Sequence, residues 1–214
     1  MAQPAVMRAP PPLLLITDPS LGAALPERVA AALAGGVRHL LLRHKGGSAA
    51  DLLTQAAALQ PLARQNGALL LIHDRLDVAL ALAADGVHLP ENGLPTAMAR
   101  RLLPHGLLGR SCHSPDSACQ ALAAGADYVT LSPVFATRSH PEAIPLGLAT
   151  FAAWRQQIPG PVLALGGITV ANAASVVLAG ADGVALIRGL LEKNPEQAAR
   201  NLLSKIFRGL AEHG

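Results

Sequence analysis

A repeated phrase constrains this chain more than any other feature. Ala84-Asp85-Gly86-Val87-His88-Leu89 returns as Ala126-Asp127-Tyr128-Val129-Thr130-Leu131 and again as Ala181-Asp182-Gly183-Val184-Ala185-Leu186. Gly35-Gly36-Val37-Arg38-His39-Leu40 is a looser fourth copy. Each copy follows an Ala-rich amphipathic stretch and enters a short apolar run. That order reads as helix, tight turn, buried parallel strand, because a strand covered on both faces is apolar without alternation. Such runs fall at about 13–17, 38–43, 69–73, 85–89, 107–110, 127–132, 161–165 and 183–187. Between them the helix ends are legible. Ser48 and Asp51 form a capping box, Ser114-Pro115 supplies a cap and a first-turn proline, and Gly67 and Gly125 follow helix ends. Pro61 is expected to kink the second helix, and Thr169 to start one that stops at Gly180. Eight strands alternating with helices leave a parallel barrel or a doubly wound sheet. Repetition without a Gly-x-Gly-x-x-Gly turn favours the barrel. The expected fold is therefore α/β, a single-domain (β/α)8 TIM barrel over residues 13–214 behind a flexible, Pro-rich tail at 1–12.

Composition narrows the function classes. With 42 Ala, 38 Leu and 51% hydrophobic residues among 214, the chain is no disordered segment. One Trp, one Tyr and three Phe exclude a nucleic-acid reader that stacks bases on aromatics. The formal charge is +3, but the 17 basic residues are scattered with no run longer than Arg100-Arg101. That suits an anionic small molecule better than a polyanion. Cys112 and Cys119 are too few for a disulfide framework or a zinc site, which fits a reducing compartment. A mean hydropathy of +0.36 raises the question of a membrane. The longest charge-free stretch, residues 156–181, is broken by Pro, Gly, Asn and Gln, and the first residues lack the layout of a signal peptide. The expectation is a cytoplasmic protein with no nucleic-acid or membrane partner.

In a barrel of this type the chemistry sits where the strands end. The polar residues just past each apolar run are therefore the candidates, and they are rich in Arg, Lys and His, as a negatively charged ligand requires. Arg43 and Lys45 share one strand-end face at a spacing of two. Leu165-Gly166-Gly167-Ile168-Thr169 and Ile187-Arg188-Gly189 end the last two strands with glycines that lead toward helices. Glycines let backbone N–H groups approach a phosphate, and helix N-termini present free donors. The loop after strand six places Thr137, Arg138, Ser139 and His140 together, as a second phosphate contact or as a solvated tip. Asp74 could hold Mg²⁺ or simply cap the next helix.

These residues, in this order, resemble the thiamine phosphate synthase family and its TenI-like relatives. The resemblance runs through residues 13–18, 35–45, 70–89, 107–114, 125–141, 161–168 and 179–187. It implies a TIM barrel that joins a pyrimidine diphosphate to a thiazole phosphate with Mg²⁺, releasing pyrophosphate, or, in TenI-like tautomerases, one that moves a proton. It also implies a homo-oligomer. Arg43 and Lys45 match the family's diphosphate contacts, Asp74 its first Mg²⁺ ligand, and Ser111 the serine of its strand-five motif. Thr137 and Ser139 match a phosphate-gripping pair, Gly147 the glycine closing that loop, and Gly166, Gly167 and Ile187 the thiazole-phosphate cradle. The departures gather on the diphosphate side. Leu41 replaces a Gln, His73 an Asn, His140 a Lys, and Arg188 a Ser. Pro90-Glu91-Asn92-Gly93 replaces Gly-Gln-x-Asp, whose Asp is the second metal ligand; Glu91 is the candidate substitute. The expectation is a TenI-like binder of a phosphorylated heterocycle with an incomplete Mg²⁺ site and His73, His140 and Lys45 as candidate catalytic groups. The alternatives are a divergent synthase and a non-catalytic protein that binds thiamine precursors.

Overall fold

The structure is a computed structural model that describes residues 11–138 and 141–213. Ser139, His140 and the tail to Pro10 lie outside the described residues. Eight parallel strands close on themselves in sequence order: β1 (Leu13–Ile16), β2 (His39–Leu42), β3 (Leu69–His73), β4 (Gly86–Leu89), β5 (Leu107–Cys112), β6 (Tyr128–Leu131), β7 (Val162–Leu165) and β8 (Gly183–Leu186). The expected (β/α)8 barrel is the observed one. The first strand pairs with the last, Leu13 opposite Val184, so no edge is left unpaired. Helices α1 (Leu25–Ala34), α2 (Ala49–Gln65), α3 (Leu76–Ala81), α4 (Thr96–Leu102), α5 (Pro115–Ala123), α6 (Gly147–Arg155), α7 (Ala173–Leu178) and α8 (Pro195–His213) follow the strands in turn. Among the described residues no helix is long and apolar enough to cross a membrane.

The barrel interior is a small core of Leu14, Ile16, Leu41, Leu71, Leu107, Tyr128, Leu163 and Ala185. A larger core, dominated by Leu, Val and Ala, lies between strands and helices. The Ala and Leu excess is thus the packing of two concentric layers. Both predicted caps form: Ser48 and Asp51 bond reciprocally at the start of α2, and Ser114 and Ser117 at the start of α5. Helix α2 keeps Pro61 inside it as one element. Two expectations shift. Pro11 is buried and the Pro12 carbonyl accepts from Val184 N–H at 3.0 Å, so the ordered barrel begins before residue 13. Helix α7 starts at Ala173, not Thr169.

The repeated phrase has a structural job at the strand entrances. The carboxylate of Asp85 accepts from Leu70 N–H at 2.8 Å, that of Asp127 from Leu108 N–H at 2.7 Å, and that of Asp182 from Val162 N–H at 2.8 Å. Each therefore satisfies an amide at the start of the preceding strand, the second residue of β3 and of β5 and the first of β7. Two arginines repeat a clamp beneath these acids. Arg100 holds Asp127 (2.6 Å) and the carbonyls of Gly125, Leu103 and Gly106. Arg155 holds Asp182 (3.1 Å) and the carbonyls of Gly180 and Ile158.

Candidate active site at the barrel mouth

The opposite end of the barrel opens into a cavity of about 1000 Å³. Of the residues singled out from the sequence, Arg43, Lys45, His73, Glu91, Ser111, Thr137, Gly166 and Ile187 line it. Asp74, Gly147, Gly167 and Arg188 do not. The wall also includes His88, His113, Ser132, Ile144 and Trp154. Arg43 reaches it because Leu41, two residues earlier, points into the barrel core. Its backbone is fixed by Thr17, whose hydroxyl accepts from Arg43 N–H at 2.9 Å. Burial lowers the Arg43 pKa and Asp18 opposes that shift, so a partly desolvated guanidinium faces the cavity. Among the described residues neither Arg43 nor Lys45 has a carboxylate within ion-pair distance. His44 between them turns away, its Nδ1 3.0 Å from Gln55 Nε2 on α2. Two uncompensated cations on one wall make a site for an anion.

The glycine turn after β7 is set by a close approach. Gly166 has φ +96°, and a Cβ there would stand 2.8 Å from Pro133 Cα. Without it the β6 loop zips onto the turn: Val134 N–H donates to Leu165 O (2.9 Å) and Phe135 N–H to Gly166 O (3.1 Å). Among the described residues the N–H groups of Gly166, Gly167 and Ile187 meet no acceptor, so they are free to face an anion. The expected helix dipole contributes little here. Thr169 and Asn172 instead close a side-chain turn (Thr169 N–H to Asn172 Oδ1, 2.7 Å), and only a short 3-10 turn follows β8. Gly147 has its N–H committed to Val134 O at 2.9 Å. The Arg188 guanidinium pairs with Asp18 at 3.2 Å, where the turn after β8 carries it toward β1.

At the centre of the floor lies His88. It is buried, with Nδ1 3.0 Å from Tyr128 Oη and Nε2 3.0 Å from Ser111 Oγ, and its ring stacks with His73 at 6.4 Å. Burial pulls His88 down to about 3. Burial, with Arg43 and Lys45 adding to it and Asp74 opposing, pulls His73 down to about 4. Both imidazoles are neutral at physiological pH, so His73 can accept a proton but has none to donate as an acid. Burial pushes the Cys112 thiol up to about 11, which leaves it unreactive.

Asp74 stands at the rim in the left-handed region (φ +64°), held there by its N–H to His88 O at 2.9 Å. Aspartate tolerates that conformation better than most residues, and such strain collects at functional sites. Its neighbour is Gly93: a Cβ on Gly93 would lie 3.1 Å from Asp74 Oδ1. Glu91 also lines the cavity. Its carboxylate accepts from His113 N–H (3.1 Å) and lies 3.9 Å from His113 Nε2, while His113 Nδ1–H donates to Ser132 O at 2.7 Å. Among the described residues no group of three His, Cys, Asp or Glu side chains could enclose a metal. One exposed carboxylate still fits Mg²⁺, which keeps several waters and takes its other ligands from substrate phosphates. Arg110 bonds the carbonyls of Glu91 and Leu94 and fixes the β4–α4 loop.

Sequence reasoning missed Tyr128, Gly109 and Trp154. No local pattern signals them, since each matters through a partner on another strand or loop.

A closed (β/α)8 barrel with its polar groups gathered at the strand exits has the architecture of the TIM-barrel enzymes. A family model described as thiamine monophosphate synthase matches residues 13–190. The chain is 45% identical over 205 residues to a thiamine-phosphate synthase of Methanoculleus marisnigri, covering 94% of this chain and 97% of that one. It is 41% identical to one of Chloroflexus aurantiacus, covering 89% and 90%. A solved thiamine phosphate pyrophosphorylase from Pyrococcus furiosus superposes with a TM-score of 0.86 at 32% identity, covering 96% of this chain and 100% of that one. The chain belongs to the thiamine monophosphate synthase family.

Proposed function

We propose that this enzyme is a thiamine phosphate synthase, joining a pyrimidine diphosphate to a thiazole phosphate and releasing pyrophosphate. The observation that carries this reading is one cavity with two separate anion-receiving regions, Arg43 and Lys45 after β2 and the amides of Gly166 and Ile187 after β7 and β8. About 1000 Å³ accommodates two small heterocycles together. Relatives named as synthases at 41–45% identity over most of the chain favour it over the TenI-like reading expected from the substituted residues.

The bond from the pyrimidine methylene to the diphosphate oxygen breaks with its electron pair on pyrophosphate, and the thiazole nitrogen forms the new C–N bond. The barrier is set by the charge on the departing group. Arg43 and Lys45 meet that charge, Ser111 and Thr137 add hydroxyl contacts, and Gly166 and Ile187 hold the thiazole phosphate in line. Asp74 is the residue that would hold Mg²⁺, which supplies further charge neutralisation to the diphosphate when bound. Ser139 and His140 lie outside the described residues; the resemblance matches Ser139 to a phosphate-gripping position and sets His140 where the family has a Lys.

The test is incubation of the purified protein with both substrates and Mg²⁺. Thiamine phosphate and pyrophosphate should form in equal amounts, and EDTA should abolish both until Mg²⁺ is restored. Tautomerisation of a thiazole phosphate without coupling would instead establish the TenI-like reading, with His73 as the proton acceptor. Tight binding of both compounds with neither reaction would establish a non-catalytic role.

A further inference from the structure

The hydrogen-bond chain from the barrel core to the mouth has a direction. Gly109 makes it possible: a Cβ there would collide with both His88 Nδ1 and the Tyr128 phenol, so the glycine opens the notch in which the two side chains meet. The three partners sit on adjacent strands. His88 registers with Gly109, Gly109 with Tyr128, and Ser111 with Thr130. Register partners of parallel strands share a face, and Tyr128 belongs to the inner core, so all of these side chains point into the barrel.

Two proton arrangements satisfy the distances. In one, the phenol donates to Nδ1, and Nε2–H donates to Ser111 Oγ. In the other, Nδ1–H donates to the phenol and Nε2 accepts from Ser111. The second leaves the Tyr128 proton with no acceptor among the described residues, on a side chain that is 0% exposed. A buried donor without a partner is costly, whereas an unused lone pair on an oxygen is cheap. Burial also pushes the Tyr128 pKa up, so the phenol keeps its proton.

We infer that Tyr128 and His88 are positioning residues: they fix His88 as the Nε2–H tautomer, so that Ser111 accepts from below and turns its own hydroxyl proton toward an anionic oxygen in the cavity. The role of Ser111 as a donor to phosphate rests on the proposed synthase reading; the tautomer does not. Ser111 is half-buried and lines the cavity, with His88 as its one hydrogen-bond partner among the described residues. A serine free to rotate would waste part of its time as an acceptor facing a phosphate.

The two parts are tested separately. Nitrogen-15 NMR of the imidazole-labelled protein should show His88 with an unprotonated Nδ1 and a protonated Nε2, and Tyr128→Phe should move the Nδ1 signal. A ring that carries its proton on Nδ1 overturns the inference whatever the enzyme's activity. Calorimetry with inorganic pyrophosphate and Mg²⁺ reads the consequence. Ser111→Ala should weaken binding about tenfold, as loss of a bond to a charged group does, and Tyr128→Phe, which removes one oxygen and keeps the ring, by about threefold. The double variant should bind no more weakly than Ser111→Ala alone. Additive losses overturn the relay, because Tyr128 would then act by packing. Wild-type protein that binds no pyrophosphate counts against the synthase reading, and the NMR result alone then decides the tautomer.

Discussion

Arg100 and Arg155 at the foot of the barrel and Arg43 at its mouth carry the same charge in opposite surroundings. The first two are saturated: each guanidinium holds a carboxylate and two or more carbonyls. Arg43 is more than half buried yet holds no side-chain partner among the described residues. Burying a charge without a partner opposes folding, so such a residue persists where a ligand completes it. The strand entrances spend their polar groups on one another, and the strand exits keep theirs free. The histidines reverse that contrast. His88 at the mouth has both ring nitrogens engaged, whereas His39, whose ladder partners place it at the foot, has a buried Nδ1 with no hydrogen bond.

Breaking the mouth should cost activity and not stability. Arg43→Ala should lower kcat/KM by about 100-fold, the scale for losing one preorganised charge contact, while the denaturation midpoint holds or rises. A variant that loses stability in step with activity would remove the distinction between the two ends. Breaking the foot should do the reverse. Arg100→Ala leaves the Asp127 carboxylate, which is 14% exposed, without its cation, and should cost about 2–4 kcal/mol in urea denaturation. Its kcat and KM per folded molecule should match the parent protein.

Two smaller changes sharpen the contrast. Gly93→Asp puts a second carboxylate beside Asp74 and should lower the Mg²⁺ concentration for half-maximal activity severalfold, with some loss of stability because its Cβ would meet Pro90 Cδ at 2.9 Å. No change in that concentration would place the metal elsewhere. His39→Leu tests the orphan at the foot. Burial depresses its folded pKa to about 4 from an unfolded value of 6.5. The unfolded chain therefore binds the extra proton first, so this residue's contribution is intact above pH 6.5 and is lost as pH falls toward 4. Removing the ring should flatten the acid limb of stability by up to about 1.4 kcal/mol per pH unit in that window. Denaturant midpoints at pH 7, 5.5 and 4.5 would read it.

Much of this was legible in the chain. The repeated Ala-Asp phrase predicted helix, turn and strand, because a strand buried on both faces must be apolar and a turn into it needs a small polar residue. Arg43 and Lys45 were visible for the same reason: charge directly after a wholly apolar run must lie where the strand leaves the core. Gly166, Gly167 and Ile187 were found by their place after the last two strands. What the spacing could not show was which of these groups had partners. Arg188, expected at a phosphate, pairs with Asp18, and Glu91, expected at a metal, accepts from His113 N–H.

The sequence by itself determined the barrel, the strand order and the rim from which the site is built, because local periodicity and strand ends are properties of neighbouring residues. Closure of the barrel decided the rest. It set the register that brings His88 to Tyr128, 40 residues away, through a gap that only Gly109 leaves open. It also decided which cations are neutralised and which face the ligand. A hydrogen bond or ion pair across strands depends on two distant segments meeting at ångström precision, and no pattern within either segment encodes that meeting.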